Sequence, residues 1–262
     1  MVFNSLTFAV FFAIVLLLHS LPFSWRVKKV NLLLASYLFY AAWNPPFIIL
    51  LWISTVVDWW AANRIAQASN PWRRRAWMLT SVCLNLGMLG WFKYGEFLLA
   101  NFQALAATVG IDYQPPAFDI VLPVGISFYT FATMSYTLDV YLRRAEPTPR
   151  MLDFALFVTF FPHLVAGPIM RPTELVPQFE QPRRASMDQL RFGLALMTLG
   201  LFQKVVLADG FLAAPAEQVY DNTMAPGALD AWFGTLAFSG QIFCDFAGYS
   251  TTATGAATCL GF

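Results

Sequence analysis

The chain has 262 residues, of which 58% are hydrophobic, 17% aromatic and only 12% charged, with a mean hydropathy of +0.57. Ordinary soluble domains are roughly 45–50% apolar and about 25% charged, so this balance excludes a typical soluble globule and points to a polytopic membrane protein. A net charge of +1 leaves no bulk electrostatic case for binding nucleic acid, and the three cysteines, Cys83, Cys244 and Cys259, are scattered through apolar stretches with no CxxC pair and no disulfide framework.

The first apolar segment, Leu6–Phe23, has no basic residues before it and ends in HSLPF, a poor cleavage site, so it reads as a retained span rather than a signal peptide. Further apolar segments follow at Val30–Trp43, Phe47–Ala62, Ala76–Ala100, Ile120–Leu142, Leu152–Met170, Leu190–Ala208 and Leu229–Phe262. A spanning helix needs about 20 residues, and most of these qualify, with Val30–Trp43 short and Leu229–Phe262 long. No soluble domain, low-complexity linker or internal repeat intervenes. The expectation is an all-α, polytopic transmembrane bundle of about seven spans plus a re-entrant segment, in one membrane domain over residues 1–262.

The re-entrant segment comes from charge. Basic loops stay in the cytoplasm. The clusters Arg26/Lys28/Lys29, Arg64/Arg73/Arg74/Arg75 and Arg143/Arg144/Arg150 fall on one side when the intervening segments cross. If Leu152–Met170 also crossed, Arg171, Arg183, Arg184 and Arg191 would fall outside. If that segment dips in and returns, 14 of the 16 Lys and Arg share one face, and only Lys93 and Lys204 lie within or beside spans. Its sequence, FPHLVAGPIMRP from Phe161, supplies the breakers Pro162, Gly167, Pro168 and Pro172. Broken backbone at membrane depth is tolerated only against protein or a wet cavity. His163, Gly167, Pro168 and Arg171 are therefore candidates for lining an internal passage. The alternative is a helix end at the interface with Arg171 snorkelling to headgroups.

Charged groups inside a span are costly and mark functional positions. Gln241, Asp245, Gly248 and Thr252 recur at steps of four, three and four, next to Tyr249. They form one helix face, open to two readings: cavity lining, with Gln241, Asp245 and Tyr249 as candidates, or close helix packing through small residues. Lys204 and Asp209 read as a structural pair, and Asp139 with Arg143 as helix support at i,i+4. The hydroxyls Ser127, Thr130, Thr133, Ser135 and Thr137 follow a Pro-Val-Gly break and are expected mostly to bond back to the preceding turn. No GxGxxG after a strand, P-loop, HExxH or GxSxG occurs. The only two histidines, His19 and His163, lie far apart and do not suggest a metal site.

Six ordered stretches, LLLASYLFYAAWNP, WFKYGEF, LPVGISFYTFATMSYTLDVYLRR, FPHLVAGPIMRPTELVPQ, GLFQKVVLAD and QIFCDFAGYSTTATGAATCLGF, together resemble the membrane-bound O-acyltransferase (MBOAT) family, in its alginate O-acetyltransferase-like branch. The resemblance covers nearly the whole chain. It implies a helix bundle around a tunnel in the bacterial inner membrane. No cofactor is implied; acetyl-CoA or a similar acyl donor is the substrate. The acyl group goes to an exported polysaccharide such as alginate, with exported acetyltransferases as partners. By the same resemblance the LVAGPI segment borders the active site.

The family's catalytic histidine lies in an Arg-Trp-His segment that follows the block ending LGF. No residue here matches it, and His163, in a different block, does not take its place. The sequence thus reads as the N-terminal portion of such an enzyme, inactive alone. General-base activation of a hydroxyl needs a group such as histidine within hydrogen-bond reach, and no other candidate is evident. The competing readings are a non-catalytic or split-enzyme membrane scaffold and, less favoured, a transporter, which would need paired broken helices in two related halves.

Overall fold

The apolar segments become helices wherever a start signal precedes a run of good helix formers. In the computed structural model, which describes residues 1–111, 113, 121–165, 167–221 and 227–262, every regular element among the described residues is helical. Ser5 accepts a hydrogen bond from the Phe8 amide and opens α1 (Leu6–Ser20). α2 (Trp25–Ala41) begins earlier than expected and takes Lys28 and Lys29 into its first turns. After a 3-10 turn at Pro45–Phe47 come α3 (Ile48–Gln67) and α4 (Pro71–Thr108), the latter capped by Asn70 with Pro71 at its first position. At 38 residues, α4 runs well beyond the expected Ala76–Ala100 at both ends.

The expected segment Ile120–Leu142 starts at a residue outside those described. Its helix, α5 (Ile126–Tyr141), starts at Gly125, whose φ of +75° needs the freedom of glycine. It ends in a Schellman motif, with Arg143 at φ +59°, the Arg143 amide on the Val140 carbonyl and the Arg144 amide on the Asp139 carbonyl. Arg143 has thus left the helix, so it does not serve Asp139 as an i,i+4 helical partner.

The segment expected at Leu152–Met170 is helical only over α6 (Met151–Thr159), nine residues. That is about 13.5 Å at 1.5 Å per residue, less than half a hydrocarbon core. Turns follow at 161–165, and α7 (Pro172–Glu180) takes over. Of the last two expected segments, Leu190–Ala208 extends at both ends, whereas Leu229–Phe262 becomes a helix of nearly the same bounds. A capping box of Ser186 and Gln189 opens α8 (Met187–Leu201), which runs through a π-helical stretch, Phe202–Leu212, into α9 (Ala213–Tyr220). α10 (Ala228–Cys259) is 32 residues long.

Two of these helical stretches, Pro45–Gln67 and Met187–Tyr220, are long and apolar enough to cross a membrane by length and hydropathy, and Leu6–Ser20 is a shorter apolar helix. α5 falls short through its length of 16 residues, and the long α4 and α10 through lower hydropathy over any 18-residue stretch.

The chain divides into two compact units. The first comprises Met1–Trp43, Thr159–Met170 and Pro177–Phe262; the second comprises Asn44–Val158 and Arg171–Val176. In the first, α10 lies antiparallel along α8, the π-helical stretch and α9, with glycines where backbones meet. A Cβ on Gly248 would stand 2.7 Å from the Gly200 carbonyl oxygen, and one on Gly255 2.5 Å from that of Gly193. Small residues therefore set this crossing, as is common between membrane helices. In the second unit α3, α4 and α5 pack on one another, and the 142–150 connection is pinned at Thr148. The Thr148 amide donates to the Tyr136 hydroxyl and its carbonyl accepts from the Trp59 indole, both at 2.8 Å.

Candidate functional site

Three polar features stand out in this apolar frame. The first is the broken stretch after α6. Phe160, Phe161 and Leu164 are buried, and Phe161 sits among the rings of Phe11, Phe12 and Phe39. The Phe161 amide, freed where the helix ends, donates to the Ser36 hydroxyl at 3.1 Å; Ser36 donates in turn to the Leu32 carbonyl. The cost of interrupting a helix at depth is thus met by one hydroxyl on α2, and protein surrounds the break. Gly167 is where the chain doubles back. A Cβ there would overlap the His163 Cα and stand 2.7 Å from the Pro162 carbonyl oxygen, so no larger residue fits. Ala166 lies outside the described residues.

The break and its return have a measurable depth in the first unit. Phe12 lies seven residues before His19 on α1, about 10 Å along the axis. Phe161 packs at that level. By Phe179 the chain is back beside Phe262, and the Phe179 carbonyl accepts the Trp25 indole proton at 2.7 Å. That end of the unit collects the basic residues. The Lys28 ammonium donates to the His19 carbonyl at 2.6 Å, and the charges of Lys28 and Arg184 interact. A Cβ on Gly261 would meet the backbone of Arg184 and Ala185 at 2.9 Å.

The second feature is ionic. Lys204 donates to Asp209 at 2.9 Å, as expected, and also forms an ion pair with Asp245 of α10 at 2.7 Å. In an α-helix residues five apart point about 140° from each other. The i→i+5 repeat of the π-helical stretch stacks them instead, which is what brings Asp209 over Lys204. One cation between two carboxylates leaves a formal charge of −1 partway along α10.

The third feature is a knot of polar side chains in the second unit, all fully buried. Asp58 of α3 accepts from Ser81 at 2.6 Å and from the Asn85 amide at 2.8 and 3.0 Å. The Asn85 carbonyl oxygen accepts from Ser54 at 2.8 Å and Thr133 at 3.3 Å. Three helices are thereby joined through one carboxylate. Thr130 and Thr137 flank Thr133 on α5, and their buried hydroxyls have no hydrogen-bond partner. The expectation that α5 hydroxyls bond back along their own helix holds for Ser135, on Ala132. Thr133 makes such a bond too, to Thr130, but also reaches across to α3 and α4.

The seven residues singled out from sequence fall as follows. His163 is half-buried, 6.1 Å from the Phe160 ring, with its amide on the Phe160 carbonyl. Gly167 is buried and Pro168 half-buried, in the doubled-back loop. Arg171 is exposed and opens α7, its carbonyl accepting the amides of Glu174 and Leu175. Gln241 is half-buried, Asp245 is bound to Lys204, and the Tyr249 ring stacks on Phe3 at 4.4 Å with its hydroxyl buried and unpartnered. The structure thus groups His163 with Gly167, and Gln241, Asp245 and Tyr249 along α10. On the shared face, Gly248 and Thr252 serve the contact with α8.

Sequence reasoning passed over Asp58 and Ser36. A carboxylate inside IILLWISTVVDWW, with Ser54 four residues before it and the Ser81/Asn85 pair at the same spacing on the next helix, was a readable signal. For Ser36 there was none, because a serine in a membrane helix usually bonds to its own preceding turn.

An all-helical chain with long apolar helices and a broken backbone packed in protein is built as a membrane-embedded scaffold. The chain belongs to the membrane-bound O-acyltransferase (MBOAT) family, which it matches over residues 5–262. Among its relatives is the probable alginate O-acetylase AlgI of Pseudomonas aeruginosa, 39% identical over 239 residues, covering 90% of this chain and 45% of the relative. The AlgI of Azotobacter vinelandii is 37% identical over 238 residues, covering 90% and 47%. A peptidoglycan O-acetyltransferase of Helicobacter pylori is 32% identical over 253 residues, covering 87% and 47%. The chain spans about half the length of the curated relatives it matches.

Proposed function

We propose that this chain forms the part of a membrane-bound O-acyltransferase that builds one wall of the acyl-transfer passage, acting on an exported polysaccharide of the alginate class. The observation that carries the reading is the family match over residues 5–262, together with relatives named for O-acetylation of alginate and peptidoglycan. The donor in this reading is acetyl-CoA or a related acyl thioester. The location is the bacterial inner membrane, and exported acetyltransferases are the partners. No residue among 1–262 is assigned as the general base; these residues position and enclose.

The arrangement in the membrane is about seven spans and a re-entrant 152–170. It is supported by the nine-residue length of α6, by the buried turn at Phe160–Leu164, and by the return to Trp25, Lys28 and Arg184 at the basic end. Cysteines placed at 171 and 184 should resist a membrane-impermeant thiol reagent added to intact cells; strong external labelling at both removes the dip.

The activity is tested by a chimera. This chain replaces the stretch it matches in the Pseudomonas aeruginosa relative, in a strain lacking its own alginate O-acetylase, and ester-linked acetate on the exported polymer is measured. Acetylation restored above the null strain is the expected result. A chimera present in the membrane at parental level that yields no acetyl ester overturns the reading.

A further inference from the structure

At the basic end of the first unit, α1 and the start of α8 border a cleft of about 520 Å³, within the size range of small-molecule sites. Its walls are Ala13, Leu16 and Leu17 on α1 with Met187 and Leu190 on α8, and its end carries His19, Ser20, Arg184 and Ser186. Polarity is therefore graded along the helices. From Ala13 to Ser20 the wall changes from apolar to polar over seven residues, about 10 Å, and α8 repeats the order in reverse from Ser186 to Leu190.

The polar end is cationic and unsatisfied. His19 is 6% exposed, and neither of its ring nitrogens has a hydrogen-bond partner, although backbone groups of Arg183 and Leu260 approach the ring. Buried polar atoms without partners are rare and call for an explanation. Arg184 stands beside Lys28, a like charge, and no carboxylate pairs with either among the described residues. The Lys28 ammonium holds the carbonyl end of α1 through His19, which offsets the negative end of that helix dipole. The amino end of the 15-residue α8 faces the same place with its positive pole.

From this geometry we infer that the cleft is a binding site for an anionic membrane phospholipid. Its phosphate is met by Arg184 and the amino end of α8, and an acyl chain lies against Leu16, Leu17, Met187 and Leu190. The grading selects an amphiphile over a soluble anion, because a free phosphate would leave the apolar walls of the cleft unused. It selects an anionic head because two neighbouring cations lack a counter-charge. Leu17 and Met187 are more than half exposed and leave the cleft open at the side where a lipid would enter.

The purified chain in detergent is examined by native mass spectrometry with equal amounts of phosphatidylglycerol and phosphatidylcholine of the same acyl chains. The expected result is at least tenfold preferential retention of one phosphatidylglycerol, reduced severalfold by Arg184→Gln but not by Arg64→Gln in the second unit. Equal retention of the two lipids by the unaltered chain overturns the proposal without any variant. Displacement of the bound lipid by millimolar inorganic phosphate also overturns it, since that would make the site one for the free ion. Loss of preference with Arg64→Gln as great as with Arg184→Gln would reduce the effect to general surface charge.

Discussion

The Asp58 knot gives the sharpest energetic prediction. Asn85→Leu keeps the side-chain volume close but removes both amide donations to Asp58, and it strips Ser54 and Thr133 of their shared acceptor. The buried carboxylate is left with Ser81, Thr133 and a long, 3.5 Å contact from Ser54. Polar contacts between membrane helices average only about 0.6 kcal/mol and reach about 1.7, so four ordinary contacts would sum to between two and three. Stranding a buried charge raises the figure to about 3–5 kcal/mol. The double variant Asp58→Leu/Asn85→Leu removes the charge with its partner, so it should cost at least 1 kcal/mol less than Asn85→Leu alone, since replacing a whole buried ionic set is often nearly neutral while breaking it is not. The assay is unfolding in mixed dodecyl maltoside and sodium dodecyl sulfate micelles, followed by tryptophan fluorescence, with Trp59 adjacent in sequence to the altered site. A double variant whose loss equals the sum of the two single losses to within about 0.5 kcal/mol would show independent sites and refute the knot.

Three further outcomes concern the first unit, with Gly87 of the second as a control. Gly248→Val should destabilise the α8–α10 contact by about 1–3 kcal/mol, because its Cβ would press on the Gly200 carbonyl; Gly87→Ala, which meets nothing within 4 Å, should be neutral or gain up to about 1 kcal/mol of helix propensity. Thermal shift in detergent separates the two. Ser36→Ala should cost about 1–3 kcal/mol by leaving the buried Phe161 amide without an acceptor, with faster amide exchange confined to residues around Phe161. Lys204→Met, which leaves two carboxylates facing each other, should lower membrane yield more than Asp245→Asn, which leaves a neutral Lys204–Asp209 pair. An uncompensated charge at membrane depth costs at least about 2.5–3.5 kcal/mol on insertion scales, and the order of yields on quantitative blots is the test.

Composition and order along the chain were enough to determine the solvent this protein is built for, its helical class and the break after Thr159. Apolar runs bounded by Ser, Asn and Pro specify helices locally, and the Pro162/Gly167/Pro168 set interrupts the helix that follows Met151. The kinship was also carried by order alone, in six blocks of residues. Other features needed neighbours brought from far along the chain. Ser36 became the acceptor for Phe161, 125 positions away, and Thr133 joined Ser54 across 79. Asp245 acquired Lys204 because Lys204 continues the face of α8 that Gly193 and Gly200 press against α10. The polar face of α10 was legible as a face, but its division between backbone contact at Gly248 and Thr252 and ionic pairing at Asp245 depended on where α8 lies. A period in a sequence specifies which side of a helix is polar; only the packed partner decides what that side touches, because hydrogen bonds and ion pairs act over about 3 Å and local order does not carry that distance.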